Sequence, residues 1–111
     1  MPSTIPEIEA AALALELEAV KVPFVIDVRD AWEIERGTLP GALHMPLATL
    51  SQHMDALPDD KSTPIVTYCH HGVRSLRAAE QLVDAGYRNV RSLKGGIDAW
   101  SRAVDPSVGR Y

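Results

Sequence analysis

Three short apolar runs constrain this chain most: Phe24-Val25-Ile26-Asp27-Val28, Ile65-Val66-Thr67-Tyr68 and Val90 to Leu93. Runs of this length, rich in β-branched and aromatic residues, form strands. Stretches of helical character lie between them. Strands that alternate with helices give an α/β domain with a mostly parallel sheet. In such sheets the binding site lies beyond the carboxyl ends of the strands. Two of the three runs end in chemically capable residues, one at Asp27 and Arg29 and the other at Cys69.

The remaining segments fit this alternation. Ala, Leu and Glu dominate residues 6–20 and predict a helix from Pro6 to Val20, capped by Thr4 with Glu7 completing a capping box. Asp30 is expected to cap a short helix from Trp32 to Arg36 that stops at Gly37. Thr38-Leu39-Pro40-Gly41 reads as a turn and Ala42 to Met45 as a short strand. Leu47 to Leu57 should hold one or two helical turns, ended by Pro58-Asp59-Asp60. Ser75 to Ala85 is an amphipathic helix with Leu76, Ala79, Leu82 and Val83 on one face and Gly86 as its stop. Gly95-Gly96 opens a last helix through Ala99 and Trp100, and an irregular tail follows.

A length of 111 residues, without repeats or linkers, predicts a single domain over residues 1–111. The longest apolar stretch, Ala10 to Val20, is interrupted by Glu16 and Glu18 and is too short to span a bilayer, so no membrane association is expected. No basic region precedes an apolar run near the N-terminus, so no signal peptide is expected. One cysteine cannot form an internal disulfide, which fits a reducing compartment, most simply the cytoplasm. The net charge of −4 argues against general nucleic-acid binding. That charge is uneven. Residues 1–60 carry three basic and eleven acidic side chains, and residues 61–111 carry eight basic and four acidic. The half containing Cys69 is the positive one. This is either an uneven solvated surface or a local field favouring an anionic substrate.

Cys69-His70-His71-Gly72-Val73-Arg74-Ser75 joins the clearest strand to the clearest amphipathic helix. A helix N-terminus carries unpaired N–H groups and partial positive charge, which stabilise a thiolate or any other anion placed there. Arg74 adds a permanent charge and a planar fork of donors suited to oxyanions. Gly72 lets the loop curl, so that successive N–H groups converge above the sulfur. Cys69 can also be read as a buried small hydrophobe, a common fate of free cysteine. His70 and His71 can be general bases, metal ligands or polar loop residues. Adjacent Cys-His-His does not supply a spaced tetrahedral set, so a loop-shaping and electrostatic role is favoured and no metal or cofactor is expected. Asp27, at a strand end, is placed to accept hydrogen bonds from loop amides.

Tyr68-Cys69-His70-His71-Gly72-Val73-Arg74-Ser75 resembles the active-site loop of rhodanese domains. Val25-Ile26-Asp27-Val28-Arg29 followed by Glu33, Gly37-Thr38-Leu39-Pro40-Gly41-Ala42, and Leu93-Lys94-Gly95-Gly96 with Ala99-Trp100 are similar to three further signatures of that family, in order. The resemblance covers nearly the whole chain. It implies a five-stranded parallel sheet flanked by helices on both faces. It implies sulfur transfer, with Cys69 attacking the outer sulfur of a donor such as thiosulfate. The persulfide would then pass to cyanide or another thiol. On this resemblance Cys69 is the nucleophile, amides from His70 to Ser75 hold the persulfide, Arg74 binds the anion, and Asp27 and Arg29 brace the site. Thr38 stands where the family often has His. The stretch from Trp100 to Ser107 is similar to the ends of rhodanese domains fused to ubiquitin-like-protein-activating enzymes, a hint at a protein thiol or sulfur-carrier acceptor.

Two other readings compete. Phosphatases or arsenate reductases of the same general fold also use a cysteine at a helix N-terminus. Their loops place five residues between Cys and Arg, whereas four separate Cys69 from Arg74 and Ser75 stands where their arginine would be. A non-catalytic interaction module is the third reading, and it predicts that Cys69→Ser changes nothing.

Overall fold

The computed structural model describes residues 4–111. Five strands, β1 (Glu7–Ile8), β2 (Phe24–Asp27), β3 (Leu43–His44), β4 (Ile65–Tyr68) and β5 (Val90–Leu93), form one sheet in the order β1-β5-β4-β2-β3. Every neighbouring pair is parallel. The helices are α1 (Ala10–Leu17), α2 (Ala31–Ile34), α3 (Val73–Asp84) and α4 (Gly96–Ala103). Residues 47–52 and 54–56 form tight 3-10 turns. The expected α/β architecture with a five-stranded parallel sheet is present.

Side chains alternate across β4 and β2, and this alternation builds two cores. Ile65 and Cys69 of the β4 segment, with Ile26 and Val28, pack against Ala78, Ala79 and Leu82 of α3. Val66 and Tyr68, with Val25, pack on the other face against Leu13 of α1 and Ile97 and Trp100 of α4. The sheet is thus covered on both sides, as a parallel sheet requires. Cys69 faces α3, and its neighbour Tyr68 faces away from it.

Three expectations need correction. The helix predicted from Pro6 begins only at Ala10, with Glu9 rather than Thr4 in the N-cap position. Glu7 and Ile8 instead pair with β5, where Pro6 and Ile8 carbonyls accept the amides of Ser92 and Lys94. Edge pairing and burial of Ile8 override the local helical propensity. The main helix begins at Val73, two residues early, so Arg74 and Ser75 belong to its first turn. Its buried stripe is Ser75, Ala78, Ala79 and Leu82, while Val83 is exposed. Three of these four residues are small, which lets the backbone of α3 lie close to the sheet. Among the described residues, no helix is long and apolar enough to cross a membrane.

Leu82 is fully buried where α3 meets the sheet. Leu82→Ala is expected to cost about 2–5 kcal/mol, read as a lower urea midpoint with an unchanged slope.

Candidate functional site

The site is assembled where β4 ends. Cys69 follows the strand directly and is almost wholly buried. Gly72, at φ +101°, turns the chain back over it, so that the Gly72 amide donates to Cys69 Sγ at 3.1 Å. Few residues other than glycine adopt that φ. Helix α3 starts at the next residue, and the first amides of a helix have no intrahelical acceptor. Below the thiol, Ser75 Oγ lies 3.6 Å from Sγ and 2.7 Å from Ser92 Oγ. The Ser75 carbonyl accepts the Thr67 hydroxyl at 2.8 Å. The sulfur therefore sits between a polar floor and an arch of backbone.

Helix α4 sets the orientation of that arch. Its first-turn amides, from Ile97 and Asp98, donate to the carbonyls of Cys69 and His70 at 2.8 and 3.1 Å. A planar trans peptide points its N–H opposite its C=O. With both carbonyls held by α4, the amides of His70 and His71 are turned to the other side. Gly96 makes this grip sterically feasible, because a Cβ there would stand 2.4 Å from both carbonyl oxygens.

Arg74 is not a free cation. Its two terminal nitrogens donate to Glu33 Oε1 and Oε2 at 2.6 and 2.9 Å, a bidentate pair between α3 and α2. The Arg74 hydrogen bond dominates among the influences that hold the Glu33 carboxyl down to about 2, against the opposing effect of burial. Glu33 also accepts from the Asp30 amide, the capping interaction that starts α2, and from the Tyr111 hydroxyl. Burial and the bond to Glu33 push the Tyr111 phenol up to about 12.

Asp27 does not reach the loop amides as expected. Its carboxylate accepts from the Arg29 backbone and guanidinium and from the Tyr68 hydroxyl at 2.7 Å, on the sheet face opposite α3. Asp27 and Arg29 are structural neighbours of the site, tied to it through Tyr68, Glu33 and Tyr111.

The two histidines stand apart from the thiol floor. The His70 ring stacks on Tyr111 at 3.9 Å with planes 11° apart, and lies 3.9 Å from the exposed His71 ring. Burial, then repulsion from His71, lowers the pKa of His70. Val73 is exposed at the rim, and Trp32 meets the Tyr111 ring edge-on at 5.7 Å. Single donor atoms of His70, His71 and Asp98 lie within 4.8 Å of one another. A surface cleft of about 550 Å³, lined by Val83, Tyr87, Arg88 and Arg91 among others, includes no residue of the loop.

The structure thus brings Cys69, Gly72 and Ser75 together with the amide arch and sets Arg74, Asp27 and Arg29 into supporting pairs. Glu33, Ser92, Gly96, Asp98 and Tyr111 were not predicted as site residues. Glu33 and Gly96 belong to stretches that resemble family signatures, but nothing in the sequence singles out Tyr111.

Glu33 supplies a pH signature. Because its folded pKa is depressed, its contribution is fully present above its ordinary value of 4.5 and is lost as pH falls toward about 2. Glu33→Gln is expected to lower stability by about 1–3 kcal/mol near neutrality. The gap to the unmodified protein should shrink in urea titrations taken down to about pH 3. A gap that stays constant with pH would contradict the assignment.

Known proteins share this fold and parts of this sequence. The family profile described as "Rhodanese-like domain" matches residues 9–103. A protein named sulfurtransferase from Allochromatium vinosum is 35% identical over 102 residues, covering 92% of this chain and 94% of that protein. The thiosulfate sulfurtransferase GlpE of Coxiella burnetii is 36% identical over 87 residues, covering 78% of this chain and 79% of that protein. The crystal structure of a rhodanese-related protein from Thermoplasma volcanium superposes with a TM-score of 0.79 at 29% identity, covering 89% of this chain and 93% of that one. With Cys69 seated under a helix N-terminus and relatives named for sulfur transfer, the chain belongs to the rhodanese-like domain family.

Proposed function

We propose that this protein moves sulfane sulfur through a persulfide on Cys69, from a small anionic donor such as thiosulfate to cyanide or to a thiol acceptor. The observation that carries the reading is the Gly72 amide on Cys69 Sγ, at the point where α3 begins. A thiolate there is stabilised by the helix N-terminus, and so is the terminal sulfur of a persulfide. The thiolate attacks the outer sulfur of thiosulfate. A sulfur–sulfur bond forms as the sulfur–sulfur bond of the donor breaks, and sulfite leaves with the electron pair. In the second half, cyanide or a thiolate attacks the terminal sulfur and Cys69 leaves as thiolate, so no external oxidant or reductant is needed.

The roles divide by geometry. Cys69 is the nucleophile. The amides of the arch, from His70 to Ser75, hold the negative charge that moves onto the outer sulfur. Ser75 and Ser92 position the thiol from below. Arg74 pairs with Glu33, which keeps the first turn of α3 in place, and its remaining N–H donors are left to attract an anionic donor. His70, His71 and Val73 shape the entrance. A protein thiol or sulfur-carrier acceptor suits a rim formed by loop side chains.

Reduced protein treated with thiosulfate should gain the mass of one sulfur atom on Cys69, and cyanide should remove it with release of thiocyanate. Cys69→Ser should do neither. Absence of both the adduct and thiocyanate, or their persistence in Cys69→Ser, would overturn the reading.

A further inference from the structure

His70, His71 and Asp98 form a second cluster of donors at the rim of the loop. One ring nitrogen from each histidine and one carboxylate oxygen lie within 4.8 Å of one another. The sequence hides this grouping, because Asp98 comes from the first turn of α4. The contact that shapes the arch also builds the cluster: the Asp98 amide donates to the His70 carbonyl at 3.1 Å and so carries its carboxylate to the imidazoles.

Hydrogen bonding does not account for the cluster. His70 Nε2 is buried and has no hydrogen-bond partner. Such an atom is uncommon in a native fold and points to an ion or a water. No hydrogen bond joins either imidazole to Asp98 among the described residues. The partner of the Asp98 carboxylate is Arg102, one helical turn away at 3.2 Å, and that arginine side chain is 68% exposed. A pair whose cation is solvent-exposed is worth little and yields readily to a stronger ligand.

Two imidazoles and one carboxylate are the donor set of three-ligand zinc sites, which keep a coordination position open. Calcium and magnesium prefer all-oxygen surroundings. We propose that His70, His71 and Asp98 bind one divalent transition-metal ion of the zinc class beside the Cys69 loop. Zinc takes such ligands at about 2.0–2.2 Å, so the three donors must close on the ion. His70 is held by its stack on Tyr111 and Asp98 by the backbone of α4, whereas His71 is exposed and can swing inward. The bound ion would staple the active-site loop to α4 and stabilise the folded chain.

Cys69 is the obvious competing ligand, and the experiment separates the two sites. Zinc chloride titrated calorimetrically into the reduced full chain should bind one ion per chain. Binding should survive in Cys69→Ser. It should weaken in His71→Ala and in Asp98→Asn by at least the roughly tenfold that even an outer-sphere partner is worth. Zinc should raise the melting temperature of the unmodified protein and of Cys69→Ser alike, and that of Asp98→Asn less at the same zinc concentration. Cobalt in place of zinc should show ligand-field bands without thiolate charge transfer. Zinc binding that vanishes in Cys69→Ser, that persists undiminished in both His71→Ala and Asp98→Asn, or that is absent throughout would overturn the proposal. Because these readouts involve no sulfur donor, they stand or fall separately from the persulfide chemistry.

Discussion

Arg29 is a fully buried cation, and the arrangement of the site depends on how its charge is met. Removing a guanidinium from water is costly unless every donor is satisfied. Here each of its five N–H groups has an acceptor. Nε and one Nη2 donor go to Asp27, the other Nη2 donor goes to the Gly37 carbonyl, and Nη1 donates to the Glu33 carbonyl and the Tyr111 hydroxyl. Burial opposes its charge, but the bonds to Asp27 and Tyr111 raise its pKa. One side chain thereby fixes the end of β2, helix α2, the turn at Gly37 and the tail at Tyr111 relative to one another.

The sulfur site is hung from this frame. Tyr111 passes from Arg29 to Glu33 and presents its ring to His70, while Glu33 clamps Arg74 in the first turn of α3. On the other side, α4 holds the loop by the carbonyls of Cys69 and His70. The loop is held at its start by α4, at its end by the Arg74–Glu33 pair and along one side by an aromatic stack. Preorganised amides of this kind stabilise developing negative charge without reorganising. Apart from the positive φ of Gly72 and its amide's bond to Cys69 Sγ, the loop's shape is set by its neighbours.

The sequence was legible where the physics is local. The strand at Ile65–Tyr68, the glycine turn and the amphipathic helix after it follow from propensity and period over a few residues, and they place Cys69 correctly. Residues 6–9 look helical in sequence because Glu7 and Ile8 carry no local sign that β5 offers them an edge. Arg74 was expected to face an anion because its guanidinium suits one. Its actual partner, Glu33, was visible only as part of a signature. Asp27 was expected to bond the loop because both lie at strand ends. The alternation of the sheet sends it to the opposite face, where Tyr68 and Arg29 wait.

The amino-acid order alone determined the α/β class, the junction that carries the cysteine and the glycine that turns above it. Those features rest on the conformational preferences of neighbouring residues. The tertiary structure decided which charges cancel, which carbonyls α4 holds and which side chains surround the histidines. Strand order β1-β5-β4-β2-β3 brings residues far apart in the chain to one end of the sheet. The pairing of Glu33 with Arg74, the stacking of Tyr111 on His70 and the approach of Asp98 to the two histidines exist only once that end is assembled, because each joins residues across the fold with no local energetic trace.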